Sequence, residues 1–231
     1  MSNQRTAARR KSGTRETRPR PRTAWPAITG LLLLSAVPVL GGALRLSELG
    51  AEATGALPRA SAIPITAHII MMSVYCLLGA FQFSPALRRR AWHRTAGMVL
   101  LPAGFIAALS AMWLAVFYRG PADELALAMI RLVFAAAMAV FLVLSVSAIR
   151  RRDFAAHGAW MTRAYAIAVS GGTQALFYML CYAIAGEVGA SGEAWLVAAA
   201  FAANSAAAEL LVRRRAARRQ RRAPAPGARV S

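Results

Sequence analysis

The sequence predicts an all-α fold: an integral membrane bundle of six transmembrane helices, with both termini in the cytoplasm and a disordered basic tail at each end. Three observations support this prediction. The 231 residues are 58% hydrophobic, a larger share than in most soluble domains. Six apolar segments are each near or above the ~20 residues that a helix needs to cross a bilayer. The basic residues are concentrated outside these segments.

The six apolar segments define the domain organisation. They cover residues 27–44, 63–84, 95–118, 125–148, 159–185 and 194–212. Helices are expected because hydrocarbon offers the backbone no hydrogen-bond partner. The first segment is interpreted as a retained helix, since no convincing A-x-A cleavage site follows it. The prediction is therefore a disordered basic tail over 1–24, a transmembrane domain over 25–212 and a second disordered basic tail over 213–231.

The distribution of basic residues predicts the orientation. With the N-terminus in the cytoplasm, 24 of the 28 basic residues are cytoplasmic, in 1–24, 85–94, 149–163 and 213–231. The outer loops carry only three basic residues, together with six of the nine acidic ones. Because an excess of arginine and lysine marks cytoplasmic loops, we expect a multi-pass protein of the cell membrane with both termini inside.

The net charge of +19 would also be typical of a nucleic-acid-binding protein. The distribution of the charge argues against that class, because most arginines lie in the two tails and in two short loops between membrane-length segments. We therefore expect the lipid bilayer as partner, with the tails on anionic headgroups, and no specific nucleic acid. The alternative for the tails is that they only fix the topology.

The stretch HGAWMTRAYAIAVSGGTQALFY, residues 157–178, places polar side chains in a membrane-length segment. If 159–185 is one continuous helix, four side chains fall within about 20° of one line: Arg163, Ser170, Gln174 and Cys181. This stripe is predicted to face protein, because polar groups are costly in lipid. The adjacent glycines, Gly171 and Gly172, would let a neighbouring helix approach closely.

Polar side chains also occur in the other segments. The second segment has His68, Tyr75, Gly79 and Gln82 within about 40° of one line. The fourth contains Arg131, and the sixth contains Asn204 and Glu209 in the alanine-rich sequence AAAFAANSAAAE, which is suited to tight packing.

Sorting these residues by depth gives two layers. The outer half contains His68 and Arg131. The cytoplasmic end contains seven candidates: Gln82, His93, Arg94, His157, Trp160, Arg163 and Glu209. Glu209 is the only carboxylate within the six segments, so a cationic partner is expected, either Arg163 or Arg94. The pair is either a salt bridge that fastens helix ends or part of an ion or proton site.

The histidines allow two interpretations. His93 and His157 are both predicted at the cytoplasmic end, where facing histidines could bind haem b as the axial ligands of a membrane cytochrome. Against this, both lie at the polar boundary of their segments, where histidines commonly form interfacial hydrogen bonds. Haem b, with His93 and His157 as possible ligands, therefore remains an alternative, as does a transition-metal site.

Several of these residues lie in stretches that resemble a bacterial family of predicted multi-pass membrane proteins, domain of unknown function 2306. The stretches are HIIMMSVYCLLGAFQFSPALRRRAWHRTAG, IRLVFA, IRRRDFAAHGAWMTRAYAIAVSGGTQALF and NSAAAE, within residues 62–212. The resemblance implies a location in the bacterial inner membrane and supplies no substrate. It also implies a family pattern that includes His68, Gln82, His93, Arg94, Arg131, His157, Trp160, Arg163, Gln174, Asn204 and Glu209.

Three functions remain open at this point. The first is a non-enzymatic membrane protein that handles a small solute, a proton or a lipid headgroup. The second is a b-type cytochrome that transfers electrons. The third is a membrane-embedded enzyme that uses the His/Arg/Glu cluster on a lipid. The third is disfavoured because the sequence has neither paired carboxylates nor a nucleophile with a base beside it.

Overall fold

The computed structural model describes residues 25–51, 59–84, 87, 91–118 and 125–221, and within them the chain is helical without strands. The bounds of the helices are α1 Trp25–Ala51, α2 Arg59–Gln82, α3 Ala91–Phe117, α4 Leu125–Arg150, α5 Phe154–Ala168, α6 Ser170–Ala185 and α7 Ala190–Gln220. Because α5 and α6 together form one span, the described residues contain six spans long and apolar enough to cross a membrane. The predicted all-α bundle of six transmembrane helices is confirmed.

The predicted disorder of the C-terminal tail is wrong for residues 213–220, because α7 continues to Gln220. The sequence there, RRRAARRQ, consists of strong helix formers. It also extends a helix that already exists, so the cost of starting a helix does not arise. The predicted tail over 1–24 and the final residues 222–231 lie outside the described part of the chain.

The helices form a closed arrangement in chain order. Each of α1 to α4 packs against the helix that follows it in the chain. α7 packs against α4, α5 and α6, while α1 contacts α6 and closes the bundle. Buried side chains of α2 to α5 form the core, among them Tyr75, Leu100, Leu142 and Tyr165. Large apolar side chains such as Leu33, Val143 and Ile184 remain exposed on the outside, as expected of a surface that faces lipid.

Glycines permit the closest helix contacts. A Cβ atom on Gly172 would overlap the backbone carbonyl of Leu34, so α6 and α1 touch through their main chains here. A Cβ atom on Gly79 would overlap the ring of Tyr165, and one on Gly104 would lie 2.7 Å from the ring of Tyr75. The phenol of Tyr165 donates to the carbonyl of Cys76 at 2.7 Å, which links α5 to α2.

The turn between α4 and α5 is tight. Arg152 has a φ of 59°, in the left-handed region, which is common for the residue that ends a helix. The amide of Asp153 donates to the Ala148 carbonyl at 2.9 Å. The Asp153 carboxylate then accepts from the amides of Ala155 and Ala156 and caps α5. This cap starts the fifth span at Phe154, five residues before the apolar segment.

The predicted continuous helix over 159–185 is wrong, because the span is interrupted at Val169. This residue has φ −78° and ψ −2°, and the amide of Gly172 donates to its carbonyl at 3.1 Å in a tighter turn. The interruption separates α5 from α6, so the predicted stripe is divided between two helices. Its members Arg163 and Gln174 consequently have different surroundings, as described below.

The basic half is the half of the bundle that contains the α4–α5 turn and the end of α7. The cavity half is the opposite half, which contains the starts of α2 and α4.

Candidate functional site

The cavity half contains a partly open cavity of about 500 Å³ between the helices. Side chains from all six spans line it, from Ser35 in α1 to Phe201 in α7. Its wall is largely apolar, and small side chains on it, such as those of Ala111 and Ala115, leave space for the cavity. A volume of this size is typical of pockets that bind small molecules.

His68 is on the cavity wall and is held by α3. Its Nδ1 lies 3.0 Å from the carbonyl oxygen of Ala107 and 3.3 Å from the hydroxyl of Ser110. A carbonyl only accepts hydrogen bonds, so this contact places a proton on Nδ1. In the neutral ring Nε2 is then an acceptor. The ring orientation is therefore fixed by the protein rather than by a ligand.

Two arginines contribute to the wall, and each has a carboxylate partner. Nη2 of Arg131 lies 3.7 Å from Oε1 of Glu193, at the start of α7, and the Arg131 side chain is 44% exposed. Nη1 of Arg45 donates to Oε2 of Glu48 at 2.8 Å. Gln174 of α6 adds an amide to the same wall. The cavity thus combines apolar walls with a few hydrogen-bonding groups from four spans.

The basic half contains the predicted partner of Glu209. Both Nε and Nη2 of Arg163 donate to Oε2 of Glu209, at 3.1 and 2.7 Å. Nε of Arg213 donates to the other carboxylate oxygen at 2.9 Å. The Arg163 guanidinium also lies over the Trp160 ring, 4.7 Å from its centroid, and Trp160 stacks on Phe141. The Arg163–Glu209 pair is confirmed, and this cluster connects α4, α5 and α7.

The other candidates of the predicted cytoplasmic layer lie apart from the Arg163–Glu209 pair. Nε2 of Gln82 reaches the His93 carbonyl at 3.5 Å, between α2 and α3. His157 Nδ1 lies 2.7 Å from the Ser145 hydroxyl, within the α4–α5 pair. Arg94 is exposed. Gln82 and His157 therefore connect neighbouring helices in pairs, and these contacts do not surround one common pocket.

The structure does not bring the proposed haem ligands to the cavity. His93 and His157 are absent from its wall, where His68 lies. Among the described residues, no group of three or more His, Cys, Asp or Glu side chains is arranged to hold a metal ion. Haem b and a transition metal stay predictions without a structural observation that favours them.

Asn204 organises a third polar contact, near the interruption of the fifth span. Its Nδ2 lies 2.7 Å from the Thr173 hydroxyl, 3.2 Å from the Ser170 hydroxyl and 3.1 Å from the Ala200 carbonyl. The Ser170 hydroxyl itself donates to the Ala166 carbonyl at 2.9 Å. The amide thus joins α7 to the first turn of α6.

Arg45 was not predicted as a site residue. The apolar segment ends at residue 44, which placed Arg45 in an outer loop, whereas α1 continues to Ala51. The spacing of Arg45 and Glu48 is a signal that could have shown the continuation, since opposite charges three residues apart stabilise a helix. Ser73 of α2 also lines the cavity and was not singled out.

The fold and the site define the class: a polytopic α-helical membrane protein with a cavity lined by its spans. The family model of the predicted membrane protein DUF2306 matches residues 65–212, which is well over half of the chain. The chain therefore belongs to the DUF2306 family, as the resemblance implied. Searches of the curated proteins and of the solved structures found no match.

Proposed function

We propose that the protein is a non-enzymatic membrane protein that binds a small amphipathic solute in the cavity. The observation that supports this proposal is the cavity itself, about 500 Å³ with contributions from all six spans. A well-packed bundle contains few voids larger than a water molecule, so a space of this size needs an explanation. Occupation by a solute with an apolar body provides one, because the wall is mostly apolar.

The polar groups on the wall indicate the chemistry of the solute's head. Arg131 offers several N–H donors in a fixed geometry, and Gln174 adds further donors. Donors on an apolar wall favour a head that accepts hydrogen bonds, such as a carboxylate. The carboxylate of Glu193 lies 3.7 Å from Arg131 and offsets part of its charge. A cationic head would meet two guanidinium groups and is disfavoured.

Binding can be tested with three probes of equal chain length. Purified protein is titrated with decanoate, decan-1-ol and decyltrimethylammonium, and bound molecules are counted by native mass spectrometry. We expect decanoate to bind most tightly and the cation most weakly. Ala111→Phe, which fills the cavity, is expected to weaken decanoate binding at least tenfold. Equal binding of all three probes would contradict the proposed head recognition.

A matched substitution controls for the added aromatic ring. Ala206→Phe changes an exposed residue of α7 that does not line the cavity. It is expected to leave decanoate binding within about twofold of the wild type. If Ala111→Phe folds and binds decanoate as tightly as Ala206→Phe, the cavity is not the binding site and the proposal fails.

We further propose that the protein lies in the cytoplasmic membrane with both termini in the cytoplasm. The concentration of basic residues at one end of the spans supports this orientation. Single cysteines near residues 89 and 152 are expected to be protected from an impermeant thiol reagent in intact cells, whereas one near 189 is expected to react. Labelling near 89 would reverse the orientation, because that loop is the most basic of the short ones.

A further inference from the structure

The last helix continues beyond its membrane-crossing part. Its apolar stretch ends near residue 212, while α7 extends to Gln220. At 1.5 Å per residue, the eight added residues extend the helix by about 12 Å. That distance covers the headgroup region, which adds roughly 5–8 Å on each side of the hydrocarbon core. The C-terminal end of α7 is therefore placed where phospholipid headgroups lie.

Contacts with the bundle hold this extension in place. Nη1 of Arg215 donates to the Thr162 hydroxyl of α5 at 3.2 Å. Two residues earlier, Arg213 donates to Glu209, which in turn is bound by Arg163. α7 is thus held to α5 at Glu209 and at Arg215, so the remaining side chains of the extension have a defined direction.

Three of the remaining arginines form a line on the exposed side. Arg214, Arg218 and Arg221 follow one another at intervals of four and three residues, which places them within about 60° on one helix face. All three side chains are exposed. We refer to these three residues as the arginine line. It is a row of guanidinium groups at headgroup depth, each with donors suited to phosphate oxygens.

We propose that the arginine line is a binding surface for the phosphates of anionic phospholipids in the adjacent leaflet. Charge complementarity supports this assignment, because a juxtamembrane basic cluster attracts anionic headgroups. The fixed geometry distinguishes it from a charged tail, since the three groups can contact neighbouring headgroups along one side of the helix. The proposal does not depend on the cavity and its solute.

The test measures lipid preference on the full-length protein. Delipidated protein in neutral detergent is titrated with phosphatidylglycerol or with phosphatidylcholine of the same acyl chains, and bound lipids are counted by native mass spectrometry. The wild type is expected to bind phosphatidylglycerol at least tenfold more tightly. Arg214→Gln, Arg218→Gln and Arg221→Gln together are expected to remove most of this preference. Each neutralised arginine near a membrane surface weakens binding about fivefold, so the three together weaken it about a hundredfold.

Three controls make the result specific. The corresponding triple lysine variant keeps the charge and is expected to remain within about threefold of the wild type. A second triple variant, Arg9→Gln with Arg10→Gln and Lys11→Gln, removes the same charge from the N-terminal segment. It is expected to leave the preference unchanged. Sodium phosphate in place of lipid is expected not to raise the unfolding temperature, which separates a lipid headgroup from free phosphate.

Several results would overturn the proposal. One is a wild type without preference for phosphatidylglycerol, and another is a triple glutamine variant that retains the preference. Equal loss in the N-terminal control would show that only total charge matters. Equal protection by sodium phosphate would reassign the surface to free anions. If the glutamine variant fails to fold, the lysine variant, the N-terminal control and the phosphate measurement still decide.

Discussion

The two halves of the bundle use their polar residues in different ways. In the basic half, polar side chains bond to other helices, as Arg163 does to Glu209 and Tyr165 to the Cys76 carbonyl. In the cavity half, His68 and Arg131 also contact neighbouring helices, but they do so on the wall of a partly open cavity, which Gln174 lines as well. Both sets occur within apolar spans, and both were candidates for a site on the same grounds.

This difference shows how an intramembrane polar residue should be interpreted. A polar group in a span marks a functional site by default, because its burial is costly. Where another helix satisfies the group, the cost is already offset by packing, and no ligand is needed to explain it. Where the group also lines a space that can hold a solute, it is in a position to contact a ligand as well. By this criterion the cavity half is the part of the bundle that supports the proposed function.

The largest expected effect is that of Gly172→Ala, which forces apart α1 and α6. The new Cβ would overlap the Leu34 carbonyl, and a backbone atom cannot move without the helix that contains it. We expect the free energy of unfolding to fall by about 3 kcal/mol, which is at the upper end of overpacking effects. Thermal or chemical unfolding in detergent measures this change. Failure of the variant to accumulate in the membrane would be the extreme form of the same result.

The neighbouring glycine provides the matched control. A Cβ on Gly171 would lie 3.7 Å from Cβ of Pro38, an ordinary contact. Alanine also favours a helix over glycine by up to about 1 kcal/mol. Gly171→Ala is therefore expected to be neutral or slightly stabilising. Equal destabilisation by the two substitutions would mean that helix packing at this crossing is not what distinguishes them.

Much of this fold was predictable, because depth and charge are readable from a sequence. The six spans are predicted from the lengths of the apolar segments. The pairing of Arg163 with Glu209 is predicted from their equal depth in the membrane and their opposite charges. The cavity was not predictable, since its volume depends on how side chains from six spans meet. The interruption at Val169 was also hidden, because no proline marks it and the stripe calculation assumes an unbroken helix.

Composition misled the prediction in one further place. The sequence predicts that the C-terminal arginines belong to a disordered tail, because a high net charge with few apolar residues is typical of disorder. The structure shows them as the continuation of α7 up to Gln220. Arginine and alanine favour helix once one exists, and the preceding span provides it. The error therefore came from treating the tail separately from the span that starts it.

An intermediate effect is expected at the Arg163–Glu209 pair, and it tests whether the basic half is held by specific pairs. Glu209→Ala leaves the Arg163 guanidinium without its carboxylate partner. We expect Glu209→Ala to lower the unfolding temperature more in the wild type than in an Arg163→Ala background, because an unpaired charge is worse than none. The measurement is a double-mutant cycle on detergent-solubilised protein.

Arg213 is the control for this cycle, since it bonds to the same carboxylate from an exposed position. Its side chain is 76% exposed, compared with 22% for Arg163. An exposed pair on one helix contributes little, so coupling between positions 213 and 209 is expected to be smaller. Additive effects at 163 and 209, or stronger coupling at 213, would show that the Arg163 contact does not fasten α5 to α7.

The smallest expected effects compare two amides on either side of the boundary between the halves. Asn204→Ala removes three contacts of its Nδ2, including those to Ser170 and Thr173, and is expected to cost about 1 kcal/mol. Gln174→Ala is expected to cost less than about 0.5 kcal/mol, because that side chain faces the cavity.

The same two variants also test the proposed solute recognition. When decanoate is added, the Asn204→Ala variant is expected to gain as much stability as the wild type, whereas the Gln174→Ala variant is expected to gain less. Thermal unfolding of the three proteins with and without decanoate measures both differences. Equal costs without decanoate, or equal gains with it, would remove the distinction between an amide that joins helices and one that faces a ligand.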